Sequence, residues 1–254
     1  MASPPLLSLT SLFILLLSFA SPSHCFYPIN SEIHSSKKVN LTLYYESLCP
    51  SCKAFVTSMQ SSVFDNGIIN IVNLRLVPWG NAIIDDHGEI QCQHGPKECE
   101  LNFVEGCIIH TYPDPKKHFG YINCIEKLDE SGDWTSCFPH SRSLKQVKDC
   151  CGSNLAEKIA NGYYEETEHL KPPHDYVPWV TVNSQPLKED FGNFIDYVCK
   201  AYKGKSPPAC KSHKSTEKIA VKNPVYQVCY TGDKQHSTLA TDAKKSRASA
   251  NVRG

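Results

Sequence analysis

The chain lacks a net charge, an internal repeat, a long apolar run beyond residue 20 and a second C-x-x-C. Each absence narrows the field. Its 26 Lys+Arg balance 26 Asp+Glu, so no overall field draws it to nucleic acid or to an acidic surface. No later stretch is apolar enough to span a bilayer. The terminal NVRG is no ER-retention signal. No Lys or Arg precedes Lys37, so the positive start of an ordinary secretory leader is missing. The block LLSLTSLFILLLSFA at 6–20 is nevertheless short for a membrane span. Ser18 and Ala20 supply the small residues that signal peptidase needs. Residues 1–25 therefore read as a cleaved signal peptide, and the mature chain as soluble, without stable membrane insertion, after passage through the ER.

Charge is spread unevenly. Residues 1–204 hold 16 Lys+Arg against 23 Asp+Glu, and residues 205–254 hold 10 against 3. A basic tail without a recognition motif makes no case for a nucleic-acid partner. Cysteine is abundant, with 13 in all, a density of oxidising compartments. Cys25 lies near the expected cleavage region. Asn40-Leu41-Thr42 is an N-glycosylation sequon.

Residues 39–45, VNLTLYY, mix β-branched, aliphatic and aromatic side chains without a breaker, as a buried strand does. Phe55, Met59 and Val63 follow at helical spacing, and Asn66-Gly67 closes that helix. Residues 68–77 alternate as a second strand, giving strand, helix, strand and a parallel crossover. These elements make up the first part of a domain, 39–79. Residues 80–170 carry seven cysteines and helical spacing at Leu101, Val104, Ile108 and Tyr112, and again at Leu144, Val147, Cys151, Leu155 and Ile159 before Gly162. They read as a helical, disulfide-laced insertion. Strand character returns at 176–183, YVPWVTVN, followed by a turn at Ser184-Gln185-Pro186. An amphipathic helix over Phe191, Phe194, Ile195, Val198 and Tyr202 then completes a second part, 171–204. Residues 205–254 show no periodicity and read as a disordered tail.

Cys49 and Cys52 stand where the first strand hands over to the helix. With Cys49 as N-cap, Pro50 takes the first helical position and Cys52 the third. Unpaired N–H groups and the helix dipole then stabilise a thiolate on Cys49. Cys49 attacks a substrate disulfide, and Cys52 resolves the mixed disulfide that results. Two other readings stay open on these residues alone. One is half of a zinc site, with Cys92, His94 and Cys99 as distant candidates. The other is a structural Cys49–Cys52 bridge, whose small loop adds little stability. Val177-Pro178, just before WVTV, stands where thioredoxin-like folds carry a cis-proline facing the dithiol. The alternative is an ordinary trans proline starting a strand.

The run CQHGPKECELNFVEGC at 92–107 resembles the C-Q-H-G-x-x-E-C-x-x-N-x-x-x-x-C signature of the gamma-interferon-inducible lysosomal thiol reductase family, at Cys92, Gln93, His94, Gly95, Glu98, Cys99, Asn102 and Cys107. The resemblance spans about residues 39–203. It implies an α/β, thioredoxin-like sheet with the disulfide-rich helical insertion lying between the second strand and the cis-Pro strand. It further implies a thiol oxidoreductase that reduces protein disulfides at acidic pH, in a lysosome or vacuole or after secretion. Cys49 is then the nucleophile and Cys52 the resolving thiol, with Val177 and Pro178 against the substrate. The signature run is structural in this reading: its three cysteines brace the insertion, and His94 is a hydrogen-bonding partner. Neither metal nor organic cofactor is expected, and an external small thiol supplies electrons. Asn183-Ser184 replaces the more usual Asn-Gly turn. The remaining ten cysteines permit five structural bridges. Cys210 and Cys229 are expected to pair with each other, or else to link two chains, leaving monomer or disulfide-linked dimer open. An oxidase or isomerase using the same dithiol, and a non-catalytic disulfide-stapled binding module, are the competing functions.

Overall fold

The computed structural model describes residues 37–215 and 228–232. The expected signal peptide, Cys25 and most of the basic tail lie outside the described residues. Among the described residues no helix is long and apolar enough to cross a membrane.

The first strand, β1, runs Val39–Tyr45, where it was expected. Helix α1, Pro50–Met59, buries Phe55, Val56 and Met59, and a π-helical turn at Gln60–Asp65 extends it. Gly67, at φ 84°, ends the run. The second strand, β2, is Val72–Pro78 rather than 68–77, because Ile68–Asn70 first coil into a 3-10 turn. A small hairpin follows, β3 at Ile83–Ile84 and β4 at Ile90–Gln91. The insertion holds four helices: α2 Pro96–Thr111, α3 Pro115–Ile125, α4 Ser141–Cys151 and α5 Asn154–Glu168. Gly162 does not end α5, and α3 was unforeseen.

The return to the sheet is β5 Tyr176–Val177, a cis Val177-Pro178 peptide, and β6 Trp179–Val182. Its hairpin turns at Asn183-Ser184, both at positive φ (49° and 65°) as a type I′ turn requires. Gln185–Pro186 is therefore strand β7 and not part of the turn. A 3-10 turn at Lys188–Asn193 leads into α6, Phe194–Ala201. The sheet order is β2-β1-β6-β7. β1 is parallel to β2, Val39 opposite Val72 and Tyr45 opposite Pro78, and antiparallel to β6, Leu43 opposite Val180. A βαβ half joined to a ββα half, with the third core strand reversed, is the thioredoxin-like arrangement. Phe55 of α1 packs on Phe191 and Phe194 at 5.8 and 5.2 Å between ring centroids. That contact ties the helix behind the cysteines to the second half of the fold.

The tail is not structureless where it is described. Helix α7, Pro208–Ser215, and strand β8, Cys229–Tyr230, form, and β8 pairs antiparallel with β5. The expected Cys210–Cys229 bond is absent. Cys210 joins Cys199 of α6, and Cys229 joins Cys49. The other bridges are Cys92–Cys99, Cys107–Cys150 and Cys124–Cys137. Among the described residues four bridges therefore lie away from Cys49, not five, and Cys52 and Cys151 are free. Burial pushes the Cys151 thiol up to about 11. The Cys107–Cys150 bond closes a separation of 43 residues and is worth roughly 4 kcal/mol in chain entropy. It locks α2 to α4.

Candidate active site

The apolar strand β1 delivers its end, Tyr45-Glu46-Ser47, into the interior, and Leu48 at φ 68° turns the chain into α1. Cys49 is the N-cap, with φ −68° and ψ 120°, and Pro50 takes the first helical position. The Lys53 N–H donates to the Cys49 carbonyl at 2.9 Å. Cys49 and Cys52 are both fully buried. Cys49 Sγ is bonded to Cys229, a residue 180 positions away, and not to Cys52. The sulfur therefore sits at the helix terminus as expected, but with a partner the sequence did not suggest.

Glu46 is buried among these groups, within 4.8 Å of the sulfurs of Cys49 and Cys229. Burial, and then the charge of Glu98, push its carboxyl well above the usual range. The Asn81 N–H, which donates to Oε2 at 2.7 Å, opposes the shift. The Cys52 thiol is likewise raised well above its ordinary value, by burial first and by Glu46 second. The Glu46 N–H pulls the other way. Further along lie Glu105 and Glu126, both raised chiefly by burial, Glu126 to about 7. The Tyr45 hydroxyl donates to Glu105 at 2.5 Å.

The signature run wraps this cluster. Gly95 adopts φ 85° and ψ −172°, a region open essentially to glycine alone. It lets Pro96 start α2. Glu98, at the third helical position, reaches back to accept from the His94 N–H at 2.6 Å and meets His94 Nδ1 at 2.8 Å. His94 Nδ1 is also 3.5 Å from Glu46, and its Nε2 lies 3.8 Å from the Cys229 sulfur. Asn102 accepts from the Ser47 N–H at 2.9 Å, holding the loop that presents Cys49. Gln93 donates to the Tyr230 carbonyl at 2.8 Å and accepts from Asn81 at 2.9 Å. Cys92–Cys99 clips the loop to the start of α2. These residues support the cysteine loop as well as the insertion, a closer involvement than the purely structural role expected of them.

Cys92 and Cys99 spend their sulfurs on each other, which overturns them as zinc ligands. Glu46, His94 and Glu98 do bring three ligating atoms within 4.8 Å, but Glu98 already engages His94 Nδ1. The sequence reading missed Glu46, Asn81 and Cys229. Glu46 had a signal, a charge ending an apolar strand three residues before Cys49. Val177 and Pro178 lie where β8 pairs, with Val177 opposite Cys229. Asn40 stands exposed on β1, its side chain bonded to Asn73.

Gly80 closes the site from below. It has φ 62°, and an added Cβ would lie 2.4 Å from the Glu46 carboxylate and 2.5 Å from the Glu46 Cβ. Gly80→Ala is expected to destabilise the chain by about 2–3 kcal/mol, lowering Tm by roughly 5–10 °C. Calorimetry checks this, and an unchanged Tm would show that the Glu46 pocket yields freely.

The family model for "Gamma interferon inducible lysosomal thiol reductase (GILT)" matches residues 40–141. An Arabidopsis thaliana protein named gamma-interferon-responsive lysosomal thiol protein is 42% identical over 200 residues, 77% of this chain and 85% of the relative. The gamma-interferon-inducible lysosomal thiol reductase of Mus musculus is 34% identical over 187 residues, 70% of this chain and 73% of the relative. Among solved structures, the DsbA of Chlamydia trachomatis aligns with TM-score 0.48 and 13% identity over 78% of this chain and 100% of that one.

Proposed function

Because the chain belongs to the gamma-interferon-inducible lysosomal thiol reductase family, we propose that it reduces disulfide bonds in protein substrates through Cys49 and Cys52, in an acidic compartment of the secretory route. The supporting observation is the placement of Cys49. Its sulfur stands at the N-terminus of α1, bonded to a cysteine on a strand laid along the residues before cis-Pro178. A substrate caught in a mixed disulfide would need that same arrangement.

With Cys229 displaced, the first-turn N–H groups and the helix dipole favour a thiolate on Cys49. The thiolate attacks one sulfur of a substrate disulfide, and the other sulfur leaves with the electron pair and takes up a proton. Cys52, deprotonated, then attacks Cys49 Sγ. The substrate departs as a dithiol, and Cys49–Cys52 keeps the oxidation equivalent. Two molecules of an external small thiol restore the dithiol, so no metal or organic cofactor is invoked.

The charge around the sulfurs supports an acidic working range. An ionised Glu46 would repel a thiolate on either cysteine. With its carboxyl raised by burial, Glu46 stays neutral in acid and that repulsion is removed. The lysosomal names of the relatives and the apolar N-terminal block point to the same destination.

The test is an insulin-type disulfide reduction assay from pH 4 to pH 8, using pre-reduced full chain and a small thiol. Reduction is expected to be fastest in acid, and Cys49→Ser should fall to the background rate. A Cys49→Ser variant as fast as the wild type would remove the proposal. The reduction potential of the pair separates a reductase from an oxidase or isomerase.

A further inference from the structure

The groove at Cys49 is filled by the chain's own tail. We infer that residues 228–232 are a tethered substrate mimic, and that Asn81, Gln93 and the β5 edge form the docking groove for an extended, cysteine-bearing peptide. This rests on the dithiol reading above and adds to it a substrate shape, two positioning residues and a latent state.

The contacts made by the segment are mostly those any peptide could make. Tyr230 and Cys229 lie opposite Tyr176 and Val177 in an antiparallel pairing that ends beside Pro178. Asn81 Nδ2 donates to the Cys229 carbonyl at 3.0 Å, and Gln93 Nε2 to the Tyr230 carbonyl at 2.8 Å. The Thr231 N–H donates to the Asp175 carbonyl at 3.1 Å. The Asn81 amide also fixes the Gln93 amide at 2.9 Å, so both donors point at the peptide main chain. Strand addition to a sheet edge binds sequence-tolerantly in this way, with pockets for side chains supplying preference. The preference here follows the cysteine: the Tyr230 ring meets Tyr176 edge-on at 5.9 Å. A segment with cysteine followed by an aromatic residue, unfolded enough to lie extended, is the substrate that fits.

Release of the tail obeys the same chemistry as release of substrate. The Cys52 thiolate attacks Cys49 Sγ and the Cys49–Cys229 bond breaks. Cys229 leaves with the electron pair and takes up the proton that Cys52 has given up, with His94 Nε2 3.8 Å from the departing sulfur. Cys49–Cys52 forms, and no external electrons are used. Two small-thiol molecules then reduce Cys49–Cys52, and the groove is open to a substrate. Once released, the tail still competes as an intramolecular ligand, at an effective concentration of order millimolar.

The experiment uses full-length chain secreted into an oxidising medium, with free thiols blocked on collection. Non-reducing peptide mapping is expected to find Cys49 bridged to Cys229. Without pre-reduction, wild type should reduce a disulfide-linked Cys-Tyr peptide after a lag and on the order of tenfold more slowly than Cys229→Ser. In the Cys229→Ser background, Asn81→Ala and Gln93→Ala should each raise KM for that peptide roughly tenfold, with a smaller change in kcat. Rescue by Gln93→Asn is not expected, since the shorter amide cannot span the gap. Cys229 found unbonded, or wild type matching Cys229→Ser with no lag, overturns the mimic while leaving the dithiol reading intact. A pre-reduced Cys229→Ser chain that reduces nothing overturns the dithiol reading itself.

Discussion

With Cys52 and Cys229 both replaced by serine, the pre-reduced chain should accumulate joined to its substrate through Cys49. Cys52 sits at the third position of α1, fully buried, and nothing else among the described residues offers a free thiol beside Cys49. The only other free cysteine there, Cys151, is held at the end of α4. Once Cys49 has attacked, the mixed disulfide has no internal thiol to break it. Turnover should drop by on the order of a hundredfold or more, to the rate at which small thiol in the buffer cleaves the adduct. A non-reducing gel and intact mass read the adduct, and excess small thiol should remove it. Cys229 must be absent from this variant, because a tail cysteine would otherwise refill Cys49. Wild-type turnover without an adduct would take the resolving role from Cys52.

The second large effect is on stability against pH. Glu46, Glu105 and Glu126 are buried, and burial raises each carboxyl, Glu126 to about 7. A group whose folded pKa lies above its unfolded value stabilises the fold fully below the unfolded value, near 4.5. That contribution is lost as pH climbs through the folded one. For Glu126 alone the interval corresponds to about 3 kcal/mol. The buried His118 and the half-buried His174 act in the opposite sense. Burial lowers both, so their contribution is present above about 6.5 and is lost as pH falls through their depressed values. The three carboxyls should dominate. Tm is therefore expected to be highest near pH 5 and to fall steadily to pH 8, and Glu126→Gln should flatten the fall. A Tm that rises between pH 5 and 8 would show that these carboxyls are ionised at little cost.

What the sequence could reveal depended on how local the cause was. β1 was legible to its end residues because six of its seven positions are β-branched, aliphatic or aromatic and none is a breaker. β2 was placed four residues early because Ile68 and Ile69 are apolar in either conformation, and only Gly67 at positive φ commits them to a turn. Helix α3 carried a legible start: Asp114 caps it, accepting from the Lys116 N–H at 3.0 Å, and Pro115 follows. The seven cysteines of residues 80–170 dominate the pattern there and mask that short signal. Strand β8 could not have been read. Two residues of strand have no pattern, and what holds them is a sulfur 180 positions upstream together with amides at residues 81 and 93. The same reason hid the work of Gln93 and His94, whose partners belong to that distant strand. Cys49 and Cys52 were legible as a pair because strand, proline and helix start adjoin them in the chain.

The covalent tie between Cys49 and Cys229 has a bearing on maturation. A protease cutting anywhere in residues 216–227 would sever the peptide connection yet leave the plug in place, fastened by its sulfur. Reduction alone would loosen the plug yet leave it leashed nearby, free to return. Reduction therefore opens the groove reversibly, and only a cut added to it, in either order, makes the opening permanent.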